Sequence, residues 1–222
     1  MEKINSIFDI VGPIMIGPSS SHTAGAVRLG ALARNIYGKE PTRARIELHG
    51  SFHATSEGHG TKLALVAGLL GMLVDDVDIV NSIDIAKQRG YTYEFTDVDL
   101  VDAHPNTAVF HLGEGENTTV VQGSSVGGGG IKITHINGYE VRASGTLPAI
   151  LVLHQDQPGA VSAVTSTLAA HNVNIANMRL SREKRGHTAL MLIKTDSVPV
   201  PSLIDELREI DLVSSVTFVP TV

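Results

Sequence analysis

Along the first half of the chain the period of the apolar positions changes repeatedly. From Ser20 to Tyr37, small and apolar residues recur at helical spacing in "HTAGAVRLGALARNIYG", behind hydroxyls able to cap and ahead of a glycine stop. This predicts a helix. "TRARIELHGSF" then alternates with period two, as a half-buried strand does, and "GHGTKLALVAGLLGML" returns to the helical period behind a glycine-rich turn. Further on, "TAVFHLGEGENTTVVQGSSVGGGG" reads as two strands around a polar glycine turn. "IKITHINGYEVRA" reads as a hairpin turning at Asn137-Gly138.

Near "SGTLPA" the pattern restarts. Strand "AILVLHQ", turn "DQPG", helix "AVSAVTSTLAAHN", strand "VNIANMRLSRE", turn "KRG", strand "HTALMLIKTD", helix "SLIDELREI" and strand "VSSVTFV" follow one another. That order is βαββαβ, the ferredoxin-like unit. The expected fold is α+β in two domains, residues 1–146 and 147–222.

A chain of 222 residues buries enough apolar surface to fold without staples. With 42% hydrophobic residues, 18% charged and a net charge of −6, it has no electrostatic ground for binding nucleic acid or an anionic membrane. No run approaches the roughly 18 apolar residues of a membrane span. The opening "MEKINSIFDIVG" lacks the basic flank and apolar core of a signal peptide, so a cytoplasmic protein is expected. The absence of cysteine removes disulfides, thiol nucleophiles and thiolate ligands.

The densest chemistry lies in "GPSSSHTAG", Gly17 to Gly25. Unpaired N–H groups at a helix start, joined by the hydroxyls of Ser19, Ser20, Ser21 and Thr23, suit an anion or a carboxylate. Capping alone would need only one hydroxyl, and a capped helix start is the plainer alternative. The phosphate loop G-x-x-x-x-G-K-[ST] is absent. "HGSFHATSEGHGT" gathers His49, His53 and His59 with Ser51, Thr55, Ser56 and Thr61. Its spacing fits no helical pair of metal ligands and Glu57 is the one nearby carboxylate, so no metal site is expected. A histidine that moves protons fits better. "HPNT" and "SSVGGGG" allow close backbone approach to a ligand and equally suit plain connectors. "LHQDQPG" and "NVNIANM" form a more specific pair, in which proline and glycine start a helix close under a strand end.

Together these stretches resemble the β chain of the two-chain, iron–sulfur-dependent L-serine dehydratases. "GPSSSHTAG", "HGSFHATSEGHGT", "AHPNTAVF" and "SVGGGG" match that family's motifs in order over residues 1 to about 146. The remainder resembles an ACT regulatory domain through "DQPG" and "NVNI". The N-terminal part is also similar to the allosteric substrate-binding domain of some 3-phosphoglycerate dehydrogenases. The resemblance implies conversion of L-serine to pyruvate and ammonia with a partner α chain. The cysteines of that chain would ligate a [4Fe–4S] cluster whose open iron acts as a Lewis acid. This chain would hold no metal.

By the same resemblance, Ser19, Ser20, Ser21, His22 and Thr23 cradle the serine carboxylate, and His59 is the base, with His22 and His104 as rivals. Gly50, Ser51, Gly60 and Thr61 shape the loop, and His104 and Asn106 belong to the substrate site. His53 stands where relatives carry an apolar residue and receives no role. In the ACT part His154, Asp156 and Asn174 fall on ligand positions, with Asp156 replacing an asparagine. ACT domains pair edge to edge, which implies two β chains with two α chains. Two other functions compete: a regulatory subunit that senses an amino acid without catalysing, and a stand-alone metal-dependent hydrolase built on the histidine-rich loop.

Overall fold

A computed structural model describes residues 14–17, 19–56 and 58–222. The reading of the first twelve residues as lacking a signal peptide, and Glu57, lie outside the described residues. Ser20–Ala24 form one π-helical turn that leads into helix α1, Gly25–Tyr37. Strand β1 (Arg43–Gly50) is followed by a short helix α2 (Ser51–Ala54) and by α3 (Thr61–Leu70). Then come α4 (Ser82–Gln88), β2 (Thr92–Asp97), β3 (Asn106–Leu112), β4 (Thr119–Gly127), β5 (Gly130–Ile136) and β6 (Tyr139–Ala143). These strands form one six-stranded sheet in the order β2-β1-β3-β4-β5-β6, in which only the β1–β2 pair is parallel.

The second half runs β7 (Ala149–Gln155), α5 (Ala160–Ala170), β8 (Ile175–Arg182), β9 (Thr188–Thr195), α6 (Pro201–Arg208) and β10 (Val213–Val219). Its sheet order, β10-β7-β9-β8, is the antiparallel arrangement expected of a ferredoxin-like unit. The Asn137-Gly138 hairpin is present, with φ of 48° and 83° at its two turn residues. Such left-handed values at both positions are what Asn-Gly supplies in a two-residue hairpin. The run Gly127–Gly130 is likewise a tight turn, and Arg28 of α1 donates to the Gly129 carbonyl at 3.0 Å.

Three elements were not read from the sequence. The strand around "RARIELHG" ends at Gly50, whose φ of +58° turns the chain, so Ser51 and Phe52 begin α2 rather than prolong β1. Helix α4 and strand β2 fill the segment between α3 and β3, to which no element is assigned from the sequence. β2 does carry a signal, because Tyr93 and Phe95 alternate with polar neighbours and pack on the core.

Helices α1 and α3 cover one face of the larger sheet, and they cross where Gly30 and Gly68 meet. A Cβ on Gly68 would lie 2.1 Å from the Val27 carbonyl oxygen and 2.6 Å from the Ala31 nitrogen. This close crossing sets the distance between the two helix starts that build the site. The two central strands of the smaller sheet, β7 and β9, are buried on both faces. Ile150, Val152, Met191 and Ile193 pack under α5 and α6. Ala149, Leu151, Leu190, Leu192 and Val219 join Leu32, Ile36, Ile136, Val141 and Ala143 in the core of the first half. The halves therefore share one hydrophobic core, and each large side chain buried in it stabilises the pair by about 1.5–3 kcal/mol. Among the described residues no helix is long and apolar enough to cross a membrane.

Candidate active site

The π-turn opens the site. Ser19 caps it, its Oγ accepting the His22 N–H at 3.1 Å, while the Gly25 N–H reaches back to the Ser20 carbonyl. The five-residue reach of that bond marks the π geometry, which widens the turn and projects His22 towards α2 and α3. Ser20 and Ser21 are half-buried, and Thr23 is buried. Thr23 Oγ1 and Ser125 Oγ, the latter on β4, are buried without a hydrogen-bond partner among the described residues. Both hydroxyls lie beside the helix start with their hydrogen-bonding capacity unused among the described residues.

His22 is the hub. Its Nδ1 lies 3.1 Å from Thr61 Oγ1 and 3.2 Å from Thr55 Oγ1, and its Nε2 lies 3.4 Å from Ser51 Oγ. Phe52 meets the ring edge-on with centroids 5.3 Å apart, and the tilted His59 ring is 5.2 Å away. Burial, and then the neighbouring His59, hold the His22 pKa below the ordinary value of 6.5. The imidazole is therefore neutral at pH 7 and able to accept a proton. His59 itself is exposed at the lip, ahead of Gly60, whose φ of +68° starts α3.

The depressed His22 pKa carries a sign. Below 6.5 the unfolded chain takes up a proton that the folded chain still refuses, so this group's contribution falls as pH drops from 6.5 through the lower folded value. His22→Gln is expected to flatten the decline in unfolding free energy between about pH 7 and pH 5, measured by urea titration. An unchanged decline would show that His22 is not the strained group.

The structure thus brings together Ser19, His22, Ser51, His59 and Thr61, with Gly50 and Gly60 as the turns that place them. Gly50 is required by contact as well as by φ, since a Cβ there would lie 2.7 Å from the Pro105 carbonyl oxygen. That contact and the Gly50↔Asn106 register set the "HPNT" loop beside the Gly50–Ser51 turn. There His104 is exposed, its Nδ1 accepting the Asn106 N–H at 3.1 Å. Neither His104 nor Asn106 has a described hydrogen bond to His22. The three histidines of the loop do not converge. His49 Nδ1 is held by the Leu100 N–H at 3.2 Å, and His53 lines a cavity of about 320 Å³ with Ser56, Lys62, Phe95 and Asp97. Thr55 and Ser125 were not among the candidate residues. Both stood in quoted motifs, but hydroxyls one turn or one strand away carry no periodic signal.

In the second half the three candidate ligand residues separate. His154 is buried, its Nδ1–H donating to the Gln155 carbonyl at 2.7 Å and its Nε2 without a partner among the described residues. Asp156 accepts from the Gly186 N–H at 3.1 Å and from Arg182 at 2.8 Å, which together hold its carboxyl below the usual range, the Gly186 bond contributing most. Asn174 donates to Asp196 at 2.5 Å. It precedes β8, whereas Arg182, the partner of Asp156, ends it, so within one chain the two positions stand about 20–25 Å apart.

Residues 6–94 match the family model described as serine dehydratase beta chain, and residues 149–212 match the ACT domain. The chain is 43% identical to the probable L-serine dehydratase beta chain of Bacillus subtilis, covering 97% of this chain and 98% of that protein. It is 40% identical to the L-serine dehydratase beta chain of Peptoniphilus asaccharolyticus, over 89% and 90% of the two chains. A D-3-phosphoglycerate dehydrogenase of Archaeoglobus fulgidus is 26% identical over 96% of this chain and 39% of its own length. With its histidine hub built from the motifs of the first half and its ferredoxin-like second half, the chain belongs to the L-serine dehydratase beta-chain family and carries an ACT domain.

Proposed function

We propose that this chain is one half of a two-chain L-serine ammonia-lyase, which converts L-serine to pyruvate and ammonia in the cytoplasm together with an α subunit. The observation that carries the reading is the His22–His59 pair, ringed by Ser51, Thr55 and Thr61 under a hydroxyl-rich helix start. The elimination needs a held carboxylate, removal of the α-proton and loss of the β-hydroxyl as water. The hydroxyls of Ser19, Ser20, Ser21 and Thr23 and the first-turn N–H groups hold the carboxylate, so that charge building at Cα meets fixed donors. His59, at the lip, takes the α-proton. His22 stays neutral behind it, and His104 and Asn106 flank the rim. The aminoacrylate so formed tautomerises and hydrolyses to pyruvate and ammonia.

The family resemblance also brings a [4Fe–4S] cluster. This chain has no cysteine, and no group of three His, Asp or Glu among the described residues could hold a metal. Its residues do not fit the cluster, and in this proposal the α chain supplies the ligands. This chain's part is binding and proton transfer. Pyruvate formation only when both chains are present is the test.

A second reading, a non-catalytic subunit that senses an amino acid, is favoured by the likeness to a phosphoglycerate dehydrogenase. It needs carboxylate donors but no base, so the His59 variant separates the two.

For the ACT part we propose homodimerisation through β8. This edge strand exposes Met178 and Leu180. Two β8 strands paired antiparallel would bring Asn174 of one copy beside the Asp156 end of the other, completing across a twofold axis the set that one chain separates. Leu180→Glu is expected to weaken the dimer at least about tenfold, a change of about 1.4 kcal/mol, by sedimentation equilibrium. A dimer of unchanged affinity would remove β8 from the interface. Truncation before Leu147 is a poorer test, because it strips Leu32 and Ile36 of their cover.

A further inference from the structure

We infer that Thr55 is a positioning residue that holds His22 in its Nδ1–H tautomer, leaving Nε2 as the nitrogen that accepts a proton. Thr55 Oγ1 donates its single proton to the Ser51 carbonyl at 2.8 Å, and a carbonyl can only accept. Towards His22 Nδ1, 3.2 Å away, Thr55 therefore offers only a lone pair. That contact is attractive when Nδ1 carries the proton and repulsive when it does not.

Ser51 closes on the same choice, with Thr61 Oγ1, 3.1 Å from Nδ1, then a second acceptor for the Nδ1 proton. With the proton on Nδ1, Nε2 presents its lone pair to Ser51 Oγ at 3.4 Å, and the Ser51 hydroxyl donates to it. Ser51 then acts at both ends, its carbonyl fixing the Thr55 proton and its hydroxyl meeting Nε2. Every donor in the loop Ser51–Thr55–His22 has an acceptor. The opposite tautomer can be fed by Thr61, which lies 3.1 Å from Nδ1, but it sets the Thr55 and Nδ1 lone pairs against each other. The groups facing the ring from the packed elements are Ser51, Phe52, Thr55, His59 and Thr61, and among these His59 is the one ionisable side chain. His22 thus gains its proton at the atom turned to Ser51, and the Ser51 oxygen keeps its lone pairs for a donor on the ligand.

The test is nitrogen NMR of the full chain labelled with 15N-histidine, at a pH above the His22 titration, with the His22 signals assigned by their loss in His22→Gln. The wild type is expected to show a protonated Nδ1 and an unprotonated Nε2. Thr55→Val, which removes the acceptor, is expected to shift the pair towards protonated Nε2, and Thr55→Ser to restore the wild-type pattern. Should Thr55→Val fail to fold, seen as collapse of the other histidine signals, the wild-type assignment and Thr55→Ser still decide. An unprotonated Nδ1 in the wild type, or a Thr55→Val variant that folds with the wild-type pattern, would overturn the inference.

Discussion

His59→Ala, assembled with its partner chain, is expected to lower turnover of L-serine by about 10²–10⁴-fold with little change in affinity for the substrate. The size follows from the role. A positioned base contributes in the transition state, whereas the carboxylate is held in the ground state by the helix start and its hydroxyls. The direction of the kinetic split follows from the geometry, since His59 stands at the exposed lip and Ser19 to Thr23 form a separate element. Loss of kcat at constant KM would place the α-proton at His59. A loss of affinity with turnover intact would favour the sensing function. Near-normal values of both would make His59 a bystander and leave His22 as the candidate.

Gly68→Ala is expected to destabilise the chain by about 3 kcal/mol or more, at the upper end for an overpacked core. The added methyl would collide with backbone atoms of α1, the Val27 carbonyl at 2.1 Å and the Ala31 nitrogen at 2.6 Å, and backbone cannot swing aside as a side chain does. The helices would have to separate, and with them the π-turn from Thr61. For a chain of this length the melting midpoint should fall by about 6–12 °C. Gly58→Ala is the control, because a Cβ there meets nothing within 4 Å, and it is expected to melt like the wild type. A Gly68→Ala variant with the wild-type midpoint would show that the helices do not cross as closely as described.

The ACT half was the more legible in the sequence. Its strand and helix periods are clean, and β7 and β10 begin and end where the pattern placed them. The second burial of its sheet was also written there. "AILVLHQ" and "TALMLIKT" are nearly continuous apolar runs rather than alternations, which is the mark of a strand buried on both faces. The first half was legible in its motifs and less so in its path. Gly50, the glycine at which the alternating run stops, ends β1 by its positive φ, but the short helix that follows carries no periodic signal. Of the residues that the motifs named, Ser19, Ser51, His59 and Thr61 lie around His22 while His104 and Asn106 make no described hydrogen bond to it, and Thr55 and Ser125 enter only through contacts that span separate elements. The separation of Asp156 from Asn174 could not be read at all, since it depends on which ends of antiparallel strands the two residues occupy.

Pyruvate formation from L-serine, under anaerobic conditions with iron and sulfide supplied, decides between the two functions when this chain alone, the cysteine-bearing partner alone and the two mixed are compared. Activity is expected only in the mixture. Activity in this chain alone, or none in a correctly assembled and cluster-loaded mixture, would contradict the two-chain lyase.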